Sequence, residues 1–400
     1  MIKSGIDSND ILHPDDPDTN DGLFGLAGDD RIYGDGGIDD LFGGDGNDSL
    51  YAGGSGTRLN GDEGNDSLFA GADAEALDGG TGADRLYAGA GADGLSGGAG
   101  DDFLDAGAGS DAANGDSGLD TIFGLTGADT LDGGSGSDLL YGGNDADRLN
   151  GGAGNDVIYG YGMIDSRTAA RPHPTEVTSE SSWSLLTYAI DIWSDTLQGG
   201  TGNDAIFGSF GDDMVIYSHA SGAVQVDLLS GVVTGADGND QLDGINGVTG
   251  SGFDDLLSGD NNTGSHANTL YGLAGADTIN GRSGIDLVFG GAGADRLFGG
   301  GEADTISGDS GNDLSTGGGS SDVFLFQGTF GADRITDFQA TGPDHDILQI
   351  SNAAITDFAS LLSHATQRAG FTLIDAGIAG TIRLDGVLRA DLVAEDFLFS

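Results

Sequence analysis

From Gly25 to Tyr159 the chain divides into fifteen consecutive nine-residue units without one insertion. A period kept this long means one small structural unit stacked on itself many times. The sixth place of the units reads Asp30, Asp39, Asp48, Thr57, Asp66, Glu75, Asp84, Asp93, Asp102, Asp111, Asp120, Asp129, Asp138, Asp147 and Asp156. The eighth place is Leu or Ile in fourteen of the fifteen, and Ala113 is the exception.

Each unit has a physical reading. Its first six residues carry turn chemistry, in which Gly takes positive φ and lets carbonyls face inward. Its last three read as a short strand, with the eighth residue pointing inward and the seventh and ninth outward. One apolar residue per strand makes no core alone. Stacked units join these residues into continuous Leu/Ile ladders. The sixth-place Asp adds a carboxylate to a loop rich in exposed carbonyls, and hard oxygen donors of this kind suit Ca²⁺.

Composition agrees. With 78 Gly and only 5 Pro in 400 residues, a collagen is excluded. The acids number 66 against 13 bases, a formal charge of −53, yet only six of them are Glu. A merely solubilising acidic chain would use Glu freely, whereas Asp beside Gly places short carboxylates in tight turns. Such charge opposes compaction unless a cation neutralises it. It also argues against nucleic acid or an anionic membrane as partner, since both favour Lys and Arg. No Cys is present, so neither disulfides nor thiolate metal sites are possible. The first sixteen residues carry no apolar signal-peptide stretch. WSLLTYAIDIW at 183–193 is too short and too polar to span a bilayer.

The period breaks over 160–189, where RPHPTEVTSESSW reads as a surface insertion. It resumes with Asp195, Asp204 and Asp213 and pauses over 217–234, where AVQVDLL alternates like a strand. Looser units carry Asp240 and Asp255. A second clean array runs from Gly272 to Leu325 with Asp277, Asp286, Asp295, Asp304, Asp313 and Asp322. From about 326 Gly falls and apolar residues rise. DRITDF, DILQI, FTLIDA, TIRLDGV and DFLF read as strands around one conventional core, and ITDFASLLSHATQRAG as a short helix. The expected organisation is an N-terminal cap (1–24), a first array (25–159), an insertion (160–189), a second interrupted array (190–325) and a C-terminal β-rich module (326–400).

GGTGADRLY (79–87), GGAGNDVIY (151–159) and GGAGADRLF (290–298) resemble the nonapeptide GGxGxDxUx of the RTX, or repeats-in-toxin, proteins. The resemblance covers most of residues 25–325. It implies an all-β fold, a parallel β-roll with two nonapeptides per coil. It also implies calcium between same-side turns of successive coils, about 10–15 ions in all, held by the sixth-place Asp residues of both arrays and by backbone carbonyls. The last segment resembles the C-terminal module of RTX proteins exported by type I secretion. Glu395 to Phe399, acids followed by apolar residues, looks like its uncleaved signal. An extracellular location and the type I apparatus as partner follow as expectations.

Two units per coil sort the first array into two edges. One carries Asp30, Asp48, Asp66, Asp84, Asp102, Asp120, Asp138 and Asp156, with Gly at the first and fourth places throughout. The other carries Asp39, Thr57, Glu75, Asp93, Asp111, Asp129 and Asp147. It also holds every departure from Gly or Asp, among them Ala52, Ala70, Ala88 and Ala106. The first edge is expected to form seven inter-coil calcium sites. The second is expected to form three, between Asp93 and Asp147, with weak binding at best near Glu75. The ninth place sorts too: Tyr33, Tyr51, Phe69, Tyr87, Asp105, Phe123, Tyr141 and Tyr159 follow the intact edge. Strands about 4.8 Å apart stack these rings into an exposed ladder, read as cross-strand stabilisation or as a platform for polysaccharide or a surface protein.

Enzyme signatures fail. None of the six His lies in H-E-x-x-H. Gly94-Leu95-Ser96-Gly97-Gly98 fits the nucleophile elbow only within the repeat, away from any strand-to-helix turn. The expected function is a secreted calcium-binding protein that is not an enzyme. The alternatives are an accessory or remnant of a mannuronan-epimerase-like polysaccharide enzyme, or a membrane-perturbing RTX protein.

Overall fold

The computed structural model describes residues 2–15, 20–54, 56–161, 194–208, 211–262, 267–342 and 344–399. The insertion expected over 160–189 lies outside the described residues from 162 on. The chain forms two compact units, Met1–Asp213 and Met214–Ser400.

In the first unit each strand pairs in parallel with the strand two units on, so two nonapeptides make one coil. Arg31 pairs with Ser49 and Ser49 with Ser67 on one sheet. Arg58 pairs with Ala76 and Ala76 with Gly94 on the other. In this register the eighth-place side chains stack directly, and Ile32, Leu50, Leu68 and Leu86 are fully buried. Each contributes roughly 1.5–3 kcal/mol by burial.

The two sheets differ in a way the nine-residue pattern does not show. From Arg31 to Asp105 the strands of one sheet have the expected three residues, as in Ser49–Tyr51 and Ser67–Phe69. Those of the other run for six over the same coils, as in Arg58–Glu63 and Ala76–Thr81, and the contrast ends at Thr121–Thr126, with six, and Thr130–Asp132, with three. The additional residues are the first three of the following unit. They stay in the ladder because the next amide pairs across coils: Gly46 N donates to Glu63 O at 2.7 Å and Gly64 N to Thr81 O at 2.8 Å.

The roll also reaches outside the arrays. Ile11–Leu12 pairs with Arg31 and Ile32, and Gly22 with Asp40, so the coil path already runs through residues set apart as a cap. Beyond the insertion the ladder resumes in register, Arg148 pairing with Thr196 and Leu149 with Leu197.

In the second unit Thr278 pairs with Arg296 and Arg296 with Leu314, again in parallel. AVQVDLL supplies the strand Val224–Asp227, which turns back on Val232–Gly235. Past residue 325 the expected strands form around buried Ile350, Leu361, Ile374 and Leu384, and they also extend the roll. Gly331–Ile335 pairs in parallel with the strand of Leu314 and with Gly380–Asp385. Ile347–Ser351 pairs in parallel with Val323–Gln327 and with Phe397–Phe399. An antiparallel hairpin, Ala365–Arg368 with Phe371–Asp375, covers the end. The expected helix is shorter, Phe358–His364, and starts at Asp357, whose carboxylate accepts from Ser360 N. No described helix is long and apolar enough to cross a membrane.

Candidate metal centre

The sixth-place residues stack into two columns along each unit. On the intact edge the amide of each Asp donates to Oδ1 of the Asp one coil further on. The Asp30–Asp48, Asp48–Asp66 and Asp66–Asp84 steps are each 2.7 Å. The column continues through Asp102, Asp120, Asp138 and Asp156 to Asp204 at 2.8–2.9 Å. The second edge runs from Asp93 through Asp111, Asp129 and Asp147 to Asp195 and Asp213 at 2.8–2.9 Å. In the second unit Asp277–Asp295–Asp313 and Asp286–Asp304–Asp322 repeat the arrangement. Every sixth-place Asp named as a ligand from sequence is at most 3% exposed.

One carboxylate oxygen is thus spent on structure, and the other is left over. From Asp30 to Asp138, and from Asp277 to Asp322, Oδ2 of every column Asp is buried with no hydrogen-bond partner. Buried polar atoms are nearly always satisfied, and a row of orphaned anionic oxygens calls for a cation. Burial pushes Asp66 up to about 8 and Asp120 and Asp129 up to about 7, with neighbouring column carboxylates adding to the effect. Backbone oxygens share the space. A methyl group on Gly61 would collide with Oδ2 of Asp66 and with the carbonyl of Gly79, and one on Gly64 with the carbonyl of Gly46. Hence Gly holds both the first and the fourth place. The donor set is carboxylate and carbonyl oxygen alone, which fits Ca²⁺.

The second edge has a gap. Thr57 supplies no carboxylate, and its hydroxyl donates to Gly54 O at 3.3 Å. Glu75 turns both oxygens back on the chain, accepting from Gly56 N at 3.1 Å and Gly71 N at 3.4 Å. The longer side chain therefore ties its own turn, through Gly71, to the preceding coil, through Gly56, and leaves no oxygen over. Ala88 and Ala106 are fully buried beside an otherwise regular column, and nothing in the structure explains their methyl groups.

Several column positions lie outside the sequence-derived ligand set. Asp10 and Asp21 donate their amides to Asp30 and Asp39 at 2.6 and 2.8 Å. GIDSNDILH (5–13) carries the signal, with Gly first, Asp sixth and Leu eighth. Two extra residues before the next unit hide it. Asp255 also joins a column but is satisfied, its oxygens taking Ser251 N at 2.5 Å and Ser251 Oγ at 2.7 Å. Tyr217 donates its hydroxyl to Asp240 at 2.9 Å.

The ninth-place rings stack at 4.8–5.2 Å and within 9° of parallel from Tyr33 to Tyr87, and again from Phe123 to Tyr159. The ladder starts one coil early, with His13 on Tyr33 at 4.5 Å. At buried Asp105 the seventh-place Phe103 bridges the break, 5.7 Å from Tyr87 and 5.6 Å from Phe123. The rings are half-buried, and Tyr141 is only 6% exposed, because each covers its neighbour's face. An exposed platform of ring faces is therefore not what the stack presents. Its accessible part is ring edges.

Fold and site together define a class: a parallel β-roll with rows of buried carboxylates and carbonyls along its turns. The family model for the RTX calcium-binding nonapeptide repeat matches residues 18–162, 194–217 and 249–324, more than half of the chain. The chain belongs to that family, and its repeats are calcium-binding repeats. No curated protein sequence matches it. Among solved structures it is similar to the extracellular lipase LipA from Serratia marcescens, at 18% identity over 74% of this chain and 45% of that one, with a TM-score of 0.27. The chain thus spans less than half of that lipase, and a likeness this low carries nothing of its activity across.

Proposed function

We propose that this chain is a secreted, non-enzymatic calcium-binding protein whose roll folds when it meets calcium outside the cell. The observation behind the reading is the row of Oδ2 atoms buried without a donor. Bound calcium neutralises the carboxylates that face one another across a coil step. The chain's own part is to hold those oxygens in line through the amide-to-Oδ1 bonds and to bring carbonyls beside them through Gly. Where calcium is scarce, a chain of charge −53 stays extended, which suits export. At ten times Kd each occupied site stabilises the roll by roughly 1.4 kcal/mol. The ligands in this reading are the sixth-place Asp residues, with the Thr57–Glu75 stretch left empty.

Export by type I secretion remains part of the proposal. It rests on the resemblance of Glu395 to Phe399 to the secretion signal. The proposed contact with polysaccharide or a surface protein uses the rims of the Tyr33–Tyr159 ladder, since the ring faces are already covered.

Circular dichroism with and without calcium tests the folding reading. The expected result is β-signal in millimolar calcium and its loss in chelator. Equal β-content in both would defeat it. Binding of an acidic glycan at unchanged affinity to Tyr87→Ala/Tyr141→Ala protein would defeat the ladder contact.

A further inference from the structure

In the second unit the two columns end differently. One passes from Asn268 through Asp286, Asp304 and Asp322 to Asp346. Asp346 closes it: Oδ1 accepts Asp322 N at 3.0 Å and Oδ2 accepts Gln339 N at 2.7 Å. Both of its oxygens have donors.

The other column passes from Asp255 through Asp277, Asp295 and Asp313 to Asp333. Oδ1 of Asp333 accepts Asp313 N at 2.9 Å, as in every coil above. No such closure follows. Asp313 is 2% exposed and its Oδ2 has no donor. Asp333 is 5% exposed, and its bond to the Asp313 amide brings the two carboxyl groups together at this coil step. Two buried carboxylates facing each other repel unless a proton or a cation lies between them.

The turn leading to Asp333 copies the repeat turn although this coil is 20 residues long. A methyl group on Gly331 would collide with the carbonyl of Gly311, which continues the stack of fourth-place carbonyls. Asn312 Oδ1 accepts Ala332 N at 2.9 Å. Among the described residues no three His, Cys, Asp or Glu side chains converge anywhere. A cation here is therefore held as in the arrays, by two carboxylates with backbone carbonyls.

We propose that Asp313 and Asp333 hold a further Ca²⁺ ion, beyond the matched repeats, which stop at residue 324. Asp333 lies on Gly331–Ile335, which pairs with Gly380–Asp385 of the cap. The ion therefore ties the C-terminal cap to the last repeat and makes the order of both strands depend on calcium. This inference rests on the reading that the arrays themselves bind calcium.

The test uses the full chain and Asp333→Asn, which keeps an acceptor for the Asp313 amide and removes the charge. Calcium content at saturation is measured by elemental mass spectrometry. Hydrogen exchange is followed in 331–335 and 380–385 across a calcium titration. The variant is expected to bind one ion fewer and to exchange at least tenfold faster in those strands at equal calcium, with 31–159 unchanged. An unchanged ion count with unchanged exchange overturns the site, and is the result a shared proton would give. Wild-type crystals soaked in Tb³⁺ give a measurement that does not depend on the variant folding. An anomalous peak is expected between Asp313 and Asp333, and its absence overturns the site. Wild-type protein that binds no calcium at all overturns the reading of the arrays, and this site with it. Normal binding with an unaffected variant overturns this site alone.

Discussion

Oδ1 of Asp120 accepts the amide of Asp102 at 2.8 Å, while Oδ2 of the same carboxylate lies buried without a donor. The two oxygens have separate jobs, and a single substitution separates them. Asp120→Asn keeps an acceptor for Asp102 and loses the anion. In calcium it forfeits the two coil steps that share Asp120, at roughly 3 kcal/mol near ten times Kd. In chelator the sign reverses, because one buried charge has gone. Thermal unfolding of both proteins in both buffers checks the reversal. A loss of equal size in chelator would show that Asp120 serves packing alone.

Acid should partly replace calcium. Burial raises Asp48 and Asp84 to about 6, Asp120 to about 7, and Asp66 and Asp304 to about 8. A carboxyl whose pKa is raised on folding stabilises the fold fully below its unfolded value near 4, and that stability is lost as pH rises through the folded value. Calcium-free protein is therefore expected to lose the roll between about pH 6 and 8 and to regain it on acidification. A titration by circular dichroism in chelator would show this, and a β-signal that falls on acidification would contradict it.

The two edges should tolerate a methyl group differently. Gly61→Ala places Cβ against Oδ2 of Asp66 and the carbonyl of Gly79, and is expected to cost about 1–3 kcal/mol in calcium. Ala70→Gly, on the edge where both Glu75 oxygens are taken by backbone amides, should cost less than about 1 kcal/mol, mainly chain entropy. Denaturant midpoints in saturating calcium compare the two. Equal losses would mean that the edges are built alike.

Phe103 splices the ladder where Asp105 interrupts it. Phe103→Ala removes two tilted ring contacts, and each such pair contributes about 0.5–1.5 kcal/mol beyond burial. A fall in stability of about 1–3 kcal/mol, with a weakened near-ultraviolet aromatic signal, is expected. Unchanged spectra would mean that the ladder is two independent stacks.

The repeat was legible because each of its residues answers a local demand. Leu50 must face inward, Gly61 must clear Asp66, and Asp66 must reach the next coil, whatever the rest of the chain does. Positions that depend on coil length were hidden. Asp10 meets Asp30 across 20 residues, Asp313 meets Asp333 across 20, and Asp322 meets Asp346 across 24, so a search at period nine or eighteen passes over all three. Glu75 is hard to read for a different reason. The sequence shows a carboxylate but not that Gly56 N and Gly71 N claim both its oxygens. Phe103 sits in an outward place where many residues are tolerated, and only the missing ring at Asp105 gives it a role.

The sixth-place amide-to-Oδ1 bonds all point one way, whereas those of the fifth place point the other, Asn47 N donating to Asp29 Oδ1 and Leu119 N to Asp101 Oδ1 at 2.9 Å. In the sixth-place columns the accepting carboxylate comes from the coil later in the chain, as Asp84 serves Asp66 and Asp322 serves Asp304. The stack therefore has a polarity, with a supplied end and a supplying end. Trimming coils from the N-terminal side leaves every remaining sixth-place amide with its acceptor. Cutting after residue 325 takes away Asp333 and Asp346 together and strands the amides of Asp313 and Asp322. The last 75 residues are thus the foundation course on which the sixth-place columns of the second array are laid.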